Sequence, residues 1–114
     1  MVTRRVTRNA NILSALHRAS AAARNAMLSV IKKDVVLAIV DCAKMIINRK
    51  VPLSQTQLQK VLSLAQDIKR FVSSKTSNDV RKRTLQKGGF LGALIGPVLS
   101  LIPQLLGGLL PGRR

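Results

Sequence analysis

The sequence predicts an all-α protein, a small bundle of four to five short helices followed by an apolar C-terminal segment that proline and glycine interrupt. Three observations favour this fold class. Apolar residues recur every three or four positions in several stretches. Serine residues precede three of those stretches, where they would cap helices. No alternating strand pattern or hairpin turn is evident. The 114 residues suffice for one small domain and a tail.

We expect three parts: a basic arm over 1–8, a basic helical bundle over 9–87, and a Gly-Gly hinge with a hydrophobic tail over 88–114. The first helix is expected over 9–19. Ser20 would cap the second, in which apolar residues continue to Ile31 at helical spacing. Asp34 stands at the expected N-cap of the third, VVLAIVDCAKMII. That stretch is rich in β-branched residues, but its length and period favour helix over strand.

Pro52 ends the third helix, because proline cannot continue the backbone hydrogen-bond ladder. Ser54 with Gln57 then forms a capping-box pattern at the start of a long amphipathic helix over 55–72. Its expected core face is Leu58, Leu62, Ala65 and Ile68. Replacing Leu62 by alanine should therefore cost about 2–5 kcal/mol. Ser77 would cap a last, short basic helix that ends at Gly88-Gly89.

The chain carries 20 lysines and arginines against four acids, a formal net charge of +16. Such a charge creates a field that attracts polyanions. Cations spread along the whole chain are typical of phosphate neutralisation, so we expect non-specific binding of double-stranded DNA. The predicted contacts are Arg4, Arg5, Arg8, Lys32, Lys33, Arg49, Lys50, Lys69, Arg70, Arg81, Lys82 and Arg83. Single-strand readers stack bases on several aromatic residues, whereas this chain has only two, Phe71 and Phe90.

The tail contains an uncharged run over 90–110, long enough to span a bilayer if helical. Pro97, Pro103 and four glycines should break such a helix into pieces. We therefore expect a segment that acts on anionic membranes, with self-association through the tail as one outcome. The predicted membrane-active residues are Phe90, Leu91, Leu94, Ile95, Val98, Leu99, Leu101, Ile102, Leu105 and Leu106. The alternative is that the tail folds back as the last core helix, since all-round hydrophobicity indicates burial of some kind.

No catalytic constellation or cofactor site is predicted. Cys42 is the single cysteine, so no disulfide forms within the chain, and its apolar surroundings predict a small buried core residue. One histidine and one cysteine cannot supply a four-ligand zinc site. His17 with Ser14 or Ser20 is the only conceivable catalytic dyad, and we expect no enzymatic activity. Three classes of function stay open: a nucleic-acid-binding protein, a membrane-lytic or viroporin-like protein, and an adaptor whose tail docks in a partner's groove.

A resemblance to a known family is carried by Val51–Ser54 with Gln55–Lys60, by Arg81–Arg83 and by Leu85–Pro97. A basic segment, then Gly-Gly, then an apolar stretch resembles adenovirus core protein X, the mu precursor. The fuller pattern is similar to the X-like proteins of adintoviruses and Polinton (Maverick) elements, over about residues 45 to 110. The resemblance implies a small basic component of the virion DNA core, present in the host nucleus during assembly, with capsid proteins as further partners.

The resemblance also implies processing by a viral protease that cuts near paired glycines. The relevant residues are Gly88, Gly89, Gly107 and Gly108. Leu105-Leu106-Gly107-Gly108 fits the protease's pattern, whereas the stretch from Leu85 to Gly89 has one residue too many.

Overall fold

The structure is a computed structural model that describes residues 3–87 and 89–102. Within these ranges the chain is all-helical, as predicted, and the helices form one compact globule. They are α1 (Arg4–Arg8), α2 (Ala10–Arg18), α3 (Ala21–Val30), α4 (Lys33–Ile47), α5 (Gln55–Ser63), α6 (Ala65–Val72), α7 (Asn78–Leu85) and α8 (Phe90–Leu99). The described part thus has eight helices where four to five were expected, because the arm is itself helical, 55–72 divides into two helices, and the tail adds one.

Serine caps begin α3, α5 and α7, as the sequence predicts. The hydroxyl of Ser20 accepts a hydrogen bond from the amide of Ala23, and that of Ser77 accepts one from the amide of Val80. Ser54 and Gln57 form both bonds of the capping box, at 3.1 and 2.9 Å. Each cap satisfies an amide that has no partner within its helix, which fixes where the helix begins.

The described part of the expected basic arm over 1–8 is helical. Thr3 caps α1, Val6 is fully buried, and α1 packs against α4. The expected N-cap role of Asp34 is wrong, because Lys32 occupies the N-cap of α4 and Asp34 lies in its first turn. A carboxylate in that turn interacts favourably with the helix dipole. Asp34 also faces the basic side chains of α1, so charge joins the two helices.

Helix α4 is central to the core. It packs against α1, α2, α6, α7 and α8. Its buried residues are Val35, Val36, Ala38, Ile39, Val40, Cys42, Ala43, Met45 and Ile46. Cys42 is a buried core residue, as predicted, and burial raises the pKa of its thiol to about 12. The thiolate that would make it nucleophilic is therefore strongly disfavoured.

The predicted inner face of 55–72 is wrong at Leu62, whose exposed fraction is 59 %. The expected single helix is interrupted at Leu64. There the Leu64 amide donates to the Val61 carbonyl, and the Ser63 hydroxyl donates to the Lys60 carbonyl. Leu64 is half-buried, and in α6 the fully buried positions are Ile68 and Phe71. Apolar residues are so frequent in 55–72 that two different faces of the helix are apolar enough to be its buried side.

The described part of the tail is a core helix. Helix α8 packs against α2, α4, α5 and α7, so it shares one core with 9–87 instead of forming a separate part. The rings of Phe71 and Phe90 meet edge to face, with centroids 5.5 Å apart. Pro97 lies inside α8, and the helix ends two residues after it, at Leu99. An interior proline costs about 3 kcal/mol, which burial of Val98 and Ile102 offsets at about 1.5–3 kcal/mol each.

Gly89 sets the turn between α7 and α8. Its φ of +80° lies in the left-handed region, which glycine adopts without strain. A Cβ atom at this position would also stand 2.9 Å from Nζ of Lys60. The described part of the chain holds no helix that is both long and apolar enough to traverse a lipid bilayer.

Candidate nucleic-acid interface

Three of the four acids are already engaged by basic residues of the same chain. Asp34 accepts hydrogen bonds from Arg8 at 3.0 Å and lies 3.4 Å from Nε of Arg5. Asp41 lies 3.6 Å from Nη1 of Arg5 and accepts a hydrogen bond from the Thr3 hydroxyl at 3.0 Å. These contacts place Arg5 and Arg8 beside the two carboxylates of α4. The two arginines therefore link α1 to α4 and are less available to an external phosphate than predicted.

Asp34 is the best-satisfied carboxylate of the described chain. The side-chain amide of Asn9 donates to it at 2.8 Å, and the guanidinium of Arg8 donates to both of its oxygens. These hydrogen bonds, with that from Asn9 the largest influence, lower the pKa of Asp34 below its ordinary value of 3.8. The carboxylate thus stays ionised at neutral pH, but because Arg8 is more than half exposed its pair adds only modestly to the burial of Val6 that holds α1 on α4.

The third engaged acid, Asp67, pairs with Arg70 at 3.4 Å and with Lys87 at 3.3 Å. Both cations are more than half exposed, so these pairs are weak and leave Arg70 accessible. The Lys87 contact nevertheless connects the end of α7 to the start of α6. Arg70, one of the predicted contacts, is therefore exposed, but its charge is partly compensated by Asp67.

Arg81 was predicted to contact nucleic acid, but the structure buries it to an exposed fraction of 8 %. Its guanidinium donates to the carbonyls of Phe71 and Ser73, each at 2.8 Å, and to Oδ1 of Asn78 at 3.0 Å. The Phe71 and Ser73 carbonyls belong to the end of α6, where the helix leaves acceptors without partners. Arg81 therefore joins α6 to α7. The sequence held one signal of this burial: Leu85, an apolar residue one helical turn later on the same face. The structure buries Leu85 as well.

The eight other predicted contacts have no acidic partner in the described ranges. They are Arg4, Lys32, Lys33, Arg49, Lys50, Lys69 and Arg83, all exposed, and Lys82, half-buried. Sequence reasoning missed further exposed cations because they stand singly along the chain: Arg18, Lys44, Lys60 and Lys75. The described surface is therefore rich in uncompensated positive charge.

One grouping of these charges lies at the C-terminal end of α4, and we call it the α4-end cluster: Lys44, Arg49, Lys50 and Lys69. Arg49 and Lys69 line one groove. Lys44 and Lys50 line a second depression together with Asn48 and Asp41, the acid that Arg5 engages. The C-terminus of a helix carries partial negative charge, which stabilises cations placed there. Helix α6 packs against α4, and this contact brings Lys69 to the same end.

Arg49 has an unusual backbone. Its φ of +57° is positive, the left-handed conformation that glycine normally supplies after a helix. The Lys50 amide bonds to the Met45 carbonyl at 2.9 Å, and the Arg49 amide bonds to the Ile46 carbonyl at 3.1 Å. These are the two bonds of a Schellman motif. These bonds hold the Arg49 backbone in a conformation that is unfavourable for residues with a side chain. They thereby fix the backbone position from which the Arg49 side chain extends.

The predicted membrane-active residues of the described tail are turned into the core. The fully buried ones are Phe90, Leu91, Leu94, Ile95, Val98 and Ile102, and Leu99 and Leu101 are half-buried. In the folded chain their apolar surface is taken up by α2, α4, α5 and α7. The expectations for Leu105, Leu106, Gly88, Gly107 and Gly108 lie outside the described residues.

His17 lies at the end of α2 beside the small residues of α8. Its Cε1 atom stands 3.5 Å from the point where a Cβ on Gly96 would lie. Ser20 uses its hydroxyl to cap α3, and no hydrogen bond within the described ranges joins His17 to Ser14 or Ser20. No set of three His, Cys, Asp or Glu side chains in 3–87 and 89–102 is placed to hold a metal ion.

Comparisons with protein-family models, with curated proteins and with solved structures find no match to this chain. The resemblance to the core protein X family thus remains a prediction from the residues quoted above.

Proposed function

We propose that this protein is a non-enzymatic binder of double-stranded DNA that contacts phosphates through exposed lysines and arginines, without reading sequence. The observation that carries the proposal is the distribution of charge. The chain's acids are few, three of them are engaged by arginine or lysine side chains, and the α4-end cluster has no paired acid among the described residues. Cations left without partners favour a polyanion, whose counterions are released on binding.

The resemblance to core protein X suggests where this binding would be used. Under this proposal the polyanion is packaged DNA of a virus or virus-like mobile element, and the protein belongs to the virion core, with assembly in the host nucleus and capsid proteins as neighbours. Membrane insertion by the tail gains no support from the described residues, because Phe90, Leu94, Ile95 and Val98 are core residues. The tail is therefore no part of the proposed activity.

Arg49 offers a substitution that separates binding from folding. Arg49→Gly removes one charge of the α4-end cluster and also relieves the left-handed strain, so the variant should be at least as stable as the parent. Its DNA affinity should nevertheless fall, for every duplex sequence alike. A loss of binding with retained or raised stability cannot be attributed to unfolding.

The decisive measurement is the salt dependence of binding to a short duplex. The logarithm of the affinity should fall linearly with the logarithm of salt concentration, and each neutralised phosphate contributes about −0.9 to the slope. Arg49→Gly combined with Lys50→Gln and Lys69→Gln should make the slope shallower by about one unit for each of these cations that binds a phosphate in the parent protein. A control with equal charge removal at Arg4, Lys33 and Lys75 tests whether the cluster matters more than total charge. No binding at low salt, or a flat salt response, would refute the proposal.

A further inference from the structure

An apolar groove opens beside the α4-end cluster, between the end of α4 and the outward side of α5 and α6. We call it the α5 groove. Its apolar lining includes Ile47, Leu53, Leu58 and Leu62. Leu62 is 59 % exposed and Ile47 is 39 % exposed, although both are large aliphatic residues. The cavity volume is about 150 Å³. A cavity of about that size accommodates a benzene ring, so the groove has room for one or two apolar side chains.

The rim of the α5 groove carries one sign of charge. Arg49 and Lys69 line it, and no acidic residue does. A second copy of this chain would bring a net charge of +16 against that rim. The chain's own segment 103–114 carries no acid to pair with Arg49 and Lys69. A DNA backbone would engage the two cations but leave Leu62 in water, whereas a ligand that is acidic and apolar at once would engage both; the two ligands would compete for Arg49 and Lys69.

We propose that the α5 groove binds an acidic amphipathic helix of a partner protein. Leucine-like side chains one helical turn apart would cover Leu62 and Ile47, and carboxylates flanking them would meet Arg49 and Lys69. Helices laid into apolar grooves use anchors at this spacing. Opposite charges around the rim orient the partner and speed its association.

The conformation of Arg49 is consistent with a binding role for its side chain at this rim. The Schellman bonds fix its backbone in the left-handed region, where glycine would be unstrained. The chain thus keeps an arginine at the rim where local backbone energetics favour glycine. Strained residues that carry a side chain concentrate at binding sites, where the side chain's position matters.

The test uses the full chain and two synthetic peptides of about 18 residues, five helical turns. One peptide places leucines at i, i+3, i+4 and i+7 with glutamates between them. The other has the same composition in scrambled order. Each carries a fluorophore, and anisotropy is measured at about 0.15 M salt, where screening suppresses loose charge attraction. Leu62→Ser is the groove variant. Val30→Ser is the matched control, because Val30 is 78 % exposed and lines a different cavity.

The amphipathic peptide should bind at least about tenfold more tightly than the scrambled one, and Leu62→Ser should weaken it by about tenfold. Val30→Ser should leave the affinity unchanged, and both variants should melt like the parent. Equal binding of the two peptides would overturn the proposal, because attraction would then be electrostatic alone. So would an equal loss in Val30→Ser. A concentration-dependent dimer that Leu62→Ser abolishes would identify a second copy as the occupant, and would equally overturn it.

Discussion

Replacing Arg81 by methionine should destabilise the protein severely, although the position was expected to be a surface contact. Methionine keeps an apolar stem and removes only the guanidinium. The substitution deletes hydrogen bonds to the carbonyls of Phe71 and Ser73 and to Asn78. A hydrogen bond to a charged group contributes about 1.5–3 kcal/mol. The Ser73 and Asn78 contacts are only part-buried, so water reaches those freed acceptors and we expect a total loss of about 3–5 kcal/mol, less than three such bonds would sum to.

Urea denaturation followed by circular dichroism measures this loss, and the same substitution at the exposed Arg83 is its control. Arg83→Met should stay within about 0.5 kcal/mol of the parent. The effects on DNA binding should have the reverse order. Under conditions where both variants are folded, Arg83→Met should bind DNA more weakly than Arg81→Met. Equal shifts in the denaturation midpoint would show that the Arg81 hydrogen bonds do not hold α6 to α7.

Three further outcomes are expected. Leu94→Ala should cost about 2–5 kcal/mol whereas Leu62→Ala should cost under about 0.5 kcal/mol, and equal thermal shifts would contradict the assignment of buried faces. Gly89→Ala should destabilise the protein by about 1–2 kcal/mol, because Gly89 has a left-handed φ. Gly92→Ala should stabilise it by up to about 1 kcal/mol, because Gly92 lies inside α8 and the nearest atom to an added Cβ is 3.9 Å away. Chemical denaturation should give the two changes opposite signs. Because the pKa of Asp34 is lowered from 3.8 in the folded chain, its contribution to stability is present above that value and lost as pH falls through the folded pKa. The melting temperature of the parent should therefore fall below about pH 4, and that of Asp34→Asn should fall less.

The helices and their caps followed from the sequence because both depend on residues close together in the chain. Ser20, Ser54 and Ser77 each act on an amide three residues later, so the local pattern contains the whole interaction. The inner face of 55–72 did not follow. Apolar residues there are frequent enough to build two stripes, and the choice depends on packing against α4 and α8, which are distant in sequence.

The predicted contact residues divide for a related reason. Composition predicts how many cations a chain has, but their roles depend on which backbone groups and acids meet them in the fold. Arg5 and Arg8 face carboxylates of α4, and Arg81 faces carbonyls of α6. Only Leu85, at a spacing of four from Arg81, marked this face as buried in advance. The exposed cations that remain support the proposed interface.

The burial of α8 also bears on the processing that the resemblance implies. Among the largest fully buried side chains of the described part are four from this helix: Phe90, Leu91, Leu94 and Ile95. Burying one such side chain contributes about 1.5–3 kcal/mol, partly offset by the entropy of ordering the helix. Cleavage after Gly89 that released α8 should therefore destabilise the bundle, because the faces of α2, α4, α5 and α7 that pack against it would be exposed to water. The proposed DNA-binding surface would then depend on the apolar helix remaining in place, since α8 and the basic helices share one core in the described residues.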